Sequence, residues 1–358
     1  VTTTSSSSAG SEPESIKSIK YNAPLDYASQ GRCVTTEDYK VYAKKLYPNA
    51  QSVQVFGGES GSFDSSLGVV STAEYGKVFI SIKSTTGLDL TSQEKTQLVT
   101  DLAPYTIAST TPVIVDPLTV SLILNTNFKF NSNATTSTVE GLKTAVTNAL
   151  IAYNSSDLGK FDGIFRHSKV TGVIDDADTS ILGNITNVTM GQFFTPTTTA
   201  STAYTFFFNN ALYNPHSGHN ASAGGVIAST GFYISGDSTN ERFFDDNGEG
   251  GLRTYYLSSG TRIYDAASAG TVTYSTGKIV TSGIHIASVG LVDGAASSRI
   301  RITAIPDSKD VVPVRNQILE IDFTNSTITG GVDTIAVSDS SAGATYTTTS
   351  SYTSTSSY

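Results

Sequence analysis

Apolar residues recur along this chain with two different periods, and the change from one to the other divides it. Tyr39, Tyr42, Ala43 and Leu46 stand at i, i+3, i+4 and i+7, which predicts one face of a helix stopping before Pro48. Thr35 followed by Asp38 supplies a capping box at its start, with the shorter Asp in place of Glu or Gln. Val53 and Val55, and then Val78, Ile80 and Ile82, alternate as strands, and Gly57-Gly58-Glu59 makes a turn after the first. Thr91 and Glu94 form a second capping box ahead of Leu98, Leu102 and Tyr105. The order helix, strand, strand, helix suits a small α+β sandwich over residues 34–116.

A second such unit is expected over residues 117–198. Leu118, Val120, Leu122 and Leu124 alternate cleanly as a half-buried strand. Ser137 and Glu140 are placed to cap a helix carrying Leu142, Val146, Ala149, Leu150 and Tyr153. A shorter helix follows from Ser168, with Val170, Val173 and Ile174 on one side, and Ile185 to Phe193 reads as a returning strand.

After residue 199 the helical period nearly vanishes. Tyr204 to Phe208 and Val226 to Ile234 read as strands, and Asn247-Gly248 marks a hairpin between Phe243-Phe244 and Tyr255-Tyr256. Ser259-Gly260 and Thr276-Gly277 give two further turns, and Gln317 to Phe323 closes a β-rich stretch over residues 199–340. The expected fold class is therefore α+β: two small α/β sandwich domains followed by a β-rich antiparallel domain. Residues 1–33, which open on Thr and Ser runs, read as a linker, and residues 341–358, with Tyr346, Tyr352 and Tyr358, as a weakly ordered or partner-bound tail. The chain begins at Val1 rather than methionine, so a fragment or processed product is expected.

Composition narrows the function classes. Charged residues are 15% of the 358, below the roughly 25% of ordinary soluble chains, and the net charge of −9 repels nucleic-acid backbones. Lys44-Lys45 and Arg299/Arg301 are too isolated to make a basic patch. A single cysteine, Cys33, rules out an intrachain disulfide, and no apolar run is long enough for a membrane helix.

Candidate chemistry is sparse. His216-Ser-Gly-His219 has metal-ligand spacing but lacks accompanying ligands, so a polar loop is the preferred reading. Asp245-Asp246-Asn247-Gly248-Glu249 lacks the alternation of a calcium loop and reads as an acidic hairpin turn, although a structural ion there stays open. Cys33 precedes a helix, where a thiol can be activated, yet a buried, inert thiol is favoured. Asp175, Asp176 and Asp178 cluster in one loop and read as surface charge rather than a glycosidase pair. His167 and His285 belong to no nucleophile motif. No catalytic, cofactor or metal residues are assigned. Phe243, Tyr255 and Tyr256 are the candidate interface residues, as aromatics of the hairpin region.

Several segments together resemble the baseplate J-like family of contractile-tailed phages. They are Arg32-Cys33-Val34-Thr35-Thr36-Glu37-Asp38-Tyr39; Ser52-Val53-Gln54-Val55-Phe56-Gly57-Gly58-Glu59; Gly76-Lys77-Val78-Phe79-Ile80-Ser81-Ile82; Leu90-Thr91 with Lys95 and Leu102; and Val113 to Leu124. Gly159-Lys160-Phe161 and Ser168 to Ile174 also look like that family, and the Asp246-Asn247-Gly248 turn resembles the C-terminal part of its long wedge members. The likeness spans roughly residues 21–330, and its order and spacing carry more weight than any one motif.

The resemblance implies a scaffold rather than an enzyme. Such wedge subunits pair with themselves as dimers, bind other wedge proteins, and form a ring around the tail hub that changes shape on contraction. It also implies location in the virion tail baseplate, after assembly in the host cytoplasm, with an N-terminal half missing from this chain; no cofactor is expected, and charge and hydropathy argue against nucleic-acid binding and membrane insertion. A receptor-binding or adhesin-like β-rich module is the alternative, and a polysaccharide-degrading enzyme would need a carboxylate pair that the sequence does not offer.

Overall fold

Strands dominate the computed structural model, which describes residues 16–60, 63–64, 69–70, 73–87, 89–219, 225–314 and 316–334. Among these residues, twenty strands stand against five α-helices, so the fold is β-rich. The described residues fall into two units. One runs to Leu118 and takes in Lys160–Asp162 and Pro313–Ile318; the other holds the remainder.

In the first unit, helix α1 (Ile16–Ser29) occupies part of the stretch expected as linker. Its internal Pro24 argues against a helix from sequence alone, and Asp26 ties it to Lys45 at 3.1 Å. Helix α2 (Thr36–Leu46) begins as expected: Thr35 Oγ1 accepts from the Asp38 amide at 3.3 Å while Asp38 Oδ2 accepts from the Thr35 amide at 2.8 Å. Strand β1 (Ala50–Gly57) is followed by two short strands, β2 (Phe63–Asp64) and β3 (Val69–Val70), and then by β4 (Lys77–Ser84). Helix α3 (Ser92–Leu102) carries the Thr91–Glu94 capping box and leads to β5 (Thr111–Val115).

The sheet order is β1-β4-β5, with β1 antiparallel and β5 parallel to β4, so Val53 faces Ile82 and Ile80 faces Ile114. Tyr39, Tyr42 and Ala43 of α2 and Leu98 and Leu102 of α3 share a core with Val53, Ile80 and Ile82. Most of the periodic residues read from the sequence are thus buried, and Leu46, Val55, Val78 and Tyr105 pack against them partly buried.

The second unit takes in the alternating strand β6 (Leu118–Phe130) from Thr119 onward. Helix α4 (Val139–Ser156) is capped by Thr138, one residue later than the Ser137–Glu140 spacing suggests; Thr138 Oγ1 accepts from Gly141, and Glu140 instead pairs with Lys143 at 2.7 Å. Helix α5 (His167–Asp175) leads to β7 (Ile181–Phe194), which returns antiparallel to β6 with Leu122 opposite Met190 and Leu124 opposite Val188. Leu122, Leu124 and Phe128 are buried in one cluster with Leu142, Val146 and Leu150 of α4 and Val170 and Ile174 of α5.

The remaining strands are β8 (Thr205–Phe207), β9 (Ile227–Ser229), β10 (Phe232–Ile234), β11 (Asp237–Asp246), β12 (Gly251–Ser258), β13 (Thr261–Thr273), β14 (Lys278–Thr281), β15 (Ile286–Val289), β16 (Leu291–Val292), β17 (Ala295–Ala296), β18 (Ile300–Ala304), β19 (Gln317–Ile321) and β20 (Thr327–Val332). The strand expected over Val226 to Ile234 is broken into β9 and β10, because each half bonds to different neighbours: β9 to β18 and β11, β10 to β11 and β15.

One sheet runs β19-β6-β7-β18-β9-β11-β12-β13-β14-β8. The boundary expected at 198/199 therefore lies within a continuously hydrogen-bonded sheet, joined where Met190 of β7 faces Ala304 of β18. Strand β20, absent from the sequence reading, pairs parallel to β6, with Gly330 beside Phe128, and Ser326 Oγ accepts from the Leu124 amide at 2.9 Å. The expected linker start at residues 1–15 and the tail at 341–358, with its three tyrosines, lie outside the described residues.

Candidate interaction surface

The hairpin of β11 and β12 sorts the candidate aromatics by strand alternation, since successive side chains point to opposite faces. Phe243 pairs with Tyr255 and Asp245 with Arg253 on one face, while Arg242 pairs with Tyr256 and Phe244 with Thr254 on the other. The structure thus brings Phe243 and Tyr255 together, their rings stacked at 5.5 Å, and puts Tyr256 on the opposite face.

Tyr264 of β13 extends the first group, 5.8 Å from Tyr255. Two guanidiniums cap it: Arg262 lies over Tyr255 at 4.6 Å and Arg253 over Tyr264 at 4.3 Å. Beneath sits Asp245, whose side chain is only 2% exposed. Its carboxylate accepts from Arg253 Nε at 3.0 Å, Arg262 Nη1 at 3.1 Å and the Tyr264 hydroxyl at 2.8 Å. Burial works to raise the Asp245 carboxyl, while Tyr264, Arg253 and Arg262 stabilise its charge. Burial also pushes the Tyr255 and Tyr264 phenols above their ordinary range, and the Asp245 carboxylate adds to the rise at both. Arg262, 37% exposed, is the outermost member. The result is a rigid, half-buried patch of stacked aromatics and arginines, the residue types that anchor protein–protein contacts.

The opposite face is more enclosed. Arg242, 8% exposed, donates to Asp265, Asp237 and the carbonyl of Asn240, and its guanidinium lies 5.8 Å from the Tyr256 ring. Asp246 is fully buried; its carboxylate accepts from the amides of Ile227 and Gly248 and from the Tyr274 hydroxyl, which burial and this bond push well up. Asp245 and Asp246 therefore do not form the acidic hairpin turn expected from sequence. They are buried ends of a strand with every oxygen partnered, and the turn itself is built by Asn247, whose Oδ1 accepts from the amides of Glu249 and Gly251.

The other singled-out residues have local structural partners. Cys33 is fully buried, and burial, with the charge of Asp38, pushes its thiol up to about 12. Asp175 accepts from Asn184, and Asp178 from the amide and hydroxyl of Ser180, so these acids hold a loop and do not face one another across a cleft. His167 and His285 each meet a backbone carbonyl, of Thr186 and Thr198. His216 and His219 come together edge to face, beside a groove of about 410 Å³ lined by Asn214, Ser217, Glu249 and Tyr274 among others. Gly248, at φ +75°, presses against this loop so closely that a Cβ there would stand 2.3 Å from the His219 carbonyl oxygen.

Sequence reasoning missed Asp245, Arg253, Arg262 and Tyr264 as members of the patch. Their signal was present: once Asn247-Gly248 fixes the hairpin register, Arg253 and Tyr255 fall opposite Asp245 and Phe243.

Comparison with known proteins finds likenesses to baseplate proteins. Residues 35–115 match the sequence model of the baseplate structural protein gp6, C-terminal domain I, and residues 120–192 that of the baseplate structural protein gp6, C-terminal domain III. Over 182 residues the chain is 26% identical to the baseplate wedge protein gp6 of Enterobacteria phage T4, covering 51% of this chain and 26% of that protein. The chain thus spans about a quarter of the length of that curated relative. A chain of the sixfold-symmetrised cryo-EM structure of the anti-feeding prophage baseplate superposes with a TM-score of 0.36 at 11% identity, over 49% of this chain and 37% of that one. Two successive segments between residues 35 and 192 match the gp6 baseplate structural protein, one its C-terminal domain I and the other its C-terminal domain III, and in them this chain is similar to the C-terminal part of a baseplate wedge protein.

Proposed function

We propose that this chain is a structural subunit of a phage-tail baseplate wedge. It acts by assembly, pairing with itself and with other wedge proteins in a ring that changes shape when the tail contracts. The observation that carries this reading is the succession of two gp6 C-terminal domain matches along residues 35–192. The relative matched in phage T4 is described as a baseplate wedge protein, and both family descriptions are of structural proteins. The accompanying fold reading is two α/β sandwich modules, at 34–116 and 117–198, followed by a β-rich module at 199–340 that shares one sheet with the second.

Obligate assembly interfaces bury upwards of about 2,000 Å² and favour rigid aromatic and arginine anchors. Phe243 and Tyr255, with Arg253 and Arg262, supply such anchors on a sheet that needs no rearrangement to present them. Shape change on contraction would then be rigid-body motion of whole modules. Residence is in the virion baseplate after assembly in the host cytoplasm. Among the described residues no helix is long and apolar enough to cross a membrane.

Immunogold electron microscopy of phage particles, with antibodies raised against this chain, tests the proposal. Label confined to the baseplate is expected. Label along fibres or at their tips would replace it with a receptor-binding role. Soluble protein in the lysate with no label on particles would remove the structural role altogether.

A further inference from the structure

We propose that His216 and His219 chelate a divalent transition-metal ion of the zinc class, in a loop site completed by the Glu249 carboxylate and water. The imidazoles turn ring nitrogens toward each other, His219 Nδ1 and His216 Nε2 standing 3.4 Å apart with the ring planes at 83°. Two nitrogens each about 2.0–2.1 Å from a tetrahedral zinc stand about 3.3–3.4 Å from one another. The spacing of the pair is therefore already that of one edge of such a site.

The tautomer also suits a ligand. His216 Nδ1 lies 3.1 Å from the carbonyl oxygen of Ser217, which a ring nitrogen can approach only as a donor. In the neutral ring this leaves Nε2 as the acceptor that faces His219 Nδ1, so a metal ion between the rings takes the place of the proton they share, with a backbone carbonyl orienting the His216 imidazole as in metal sites. His219 is 8% exposed and packs edge-on against Tyr213 at 5.2 Å. Among the described residues its Nε2 is buried without a hydrogen-bond partner, and the ring's polar contact is with His216, through Nδ1.

The loop is pre-organised. Gly248 O accepts from the Gly218 amide at 3.1 Å and from Asn214 Nδ2 at 3.2 Å, and the His219 amide donates to His216 O at 3.1 Å. Glu249, on the hairpin tip, has Oε1 3.8 Å from where a Cβ on Gly218 would sit, so its carboxylate lies over the glycine that separates the histidines. Among the described residues no three His, Cys, Asp or Glu side chains already converge. Glu249 is exposed and comes onto the ion by side-chain rotation. Imidazole donors favour zinc, nickel and copper, while calcium and magnesium, which take oxygen ligands, are discriminated against.

Isothermal titration of the full chain, stripped with chelator and desalted, against zinc chloride tests the site. A saturable one-site heat is expected, at least tenfold weaker in affinity in His216→Ala and several-fold weaker in Glu249→Gln, with no heat from magnesium chloride. His216 is exposed, so its replacement leaves the packing of the buried His219 in place. X-ray absorption of the zinc complex should show imidazole scattering from a first shell at about 2.0 Å. No saturable heat up to about 1 mM zinc, or an unchanged affinity in His216→Ala, overturns the site. Unchanged affinity in Glu249→Gln overturns the assignment of the third ligand.

Discussion

Asp245 and Arg253 face one another across the β11–β12 ladder, carboxylate to guanidinium at 3.0 Å, with 2% and 12% of their side chains exposed. A charge this enclosed is tolerated because its partners are fixed, and it makes the aromatic patch above it dependent on one carboxylate.

Asp245→Ala should therefore destabilise the protein by about 3–5 kcal/mol, the usual cost of removing one partner of a buried pair and leaving the other uncompensated. Urea denaturation measures it. Changing both members, Asp245→Leu with Arg253→Met, should cost clearly less than Asp245→Ala alone. Equal costs would mean that the carboxylate, not the orphaned guanidinium, sets the loss.

Gly330 lies against the Phe128 ring, and a Cβ on it would meet Phe128 Cζ at 2.4 Å. Gly330→Ala should destabilise by about 1–3 kcal/mol through overpacking. Gly183→Ala, where nothing lies within 4 Å of an added Cβ, should be nearly neutral. Thermal melts of the two variants compare them directly, and equal shifts would contradict the packing of β20 on β6.

The Cys33 thiol, fully buried and pushed up to about 12, carries almost no thiolate at neutral pH. Labelling by a thiol-specific disulfide reagent at about pH 8 should be negligible in the native protein and complete after unfolding in denaturant. Rapid native labelling would show that Cys33 opens to solvent.

Among the carboxyls held below their ordinary range are Asp310, by the His167 amide and Arg166, Asp293, by Arg301, and Asp237, by the side chain and amide of Asn240, the Thr239 amide and Arg242. Between the folded and unfolded values the unfolded chain binds more protons, so stability rises with pH there. The contribution is complete well above the unfolded value of about 3.9 and is lost as pH falls through the folded values. The melting temperature should drop steeply between about pH 5 and pH 2, and Asp310→Asn should make that drop shallower while lowering the melting temperature at neutral pH. An unchanged acid limb in Asp310→Asn would remove Asp310 from the account.

Much of the local structure was legible in the sequence because it depends on near neighbours. The Thr35–Asp38 and Thr91–Glu94 boxes, the buried face of Tyr39, Tyr42 and Ala43, and the turn at Asn247-Gly248 all follow from spacing within a few residues. What escaped depends on distant partners. Pro24 speaks against a helix that α1 nevertheless forms, and β20 has a weak, Gly-containing pattern that gains its identity only beside β6. Asp245 and Asp246 look like a solvated turn until β12, β13 and the residues from Ile227 to Tyr274 close over them. Of the three candidate aromatics of the hairpin, composition could name all but could not say which two share a face.

The pairing of β6 with β20 joins residues about 200 positions apart, as in the bond from Leu124 to Ser326. At about 5–20 residues per second of synthesis, the second strand leaves the ribosome roughly 10–40 s after the first. Throughout that interval β6 offers a bare edge on the side that β20 will occupy, an invitation to pairing with a neighbouring nascent chain. The order of translation therefore sets a period of vulnerability that no feature of the finished sheet reveals, and slowing elongation between residues 130 and 327 should lengthen it and lower the yield of folded protein.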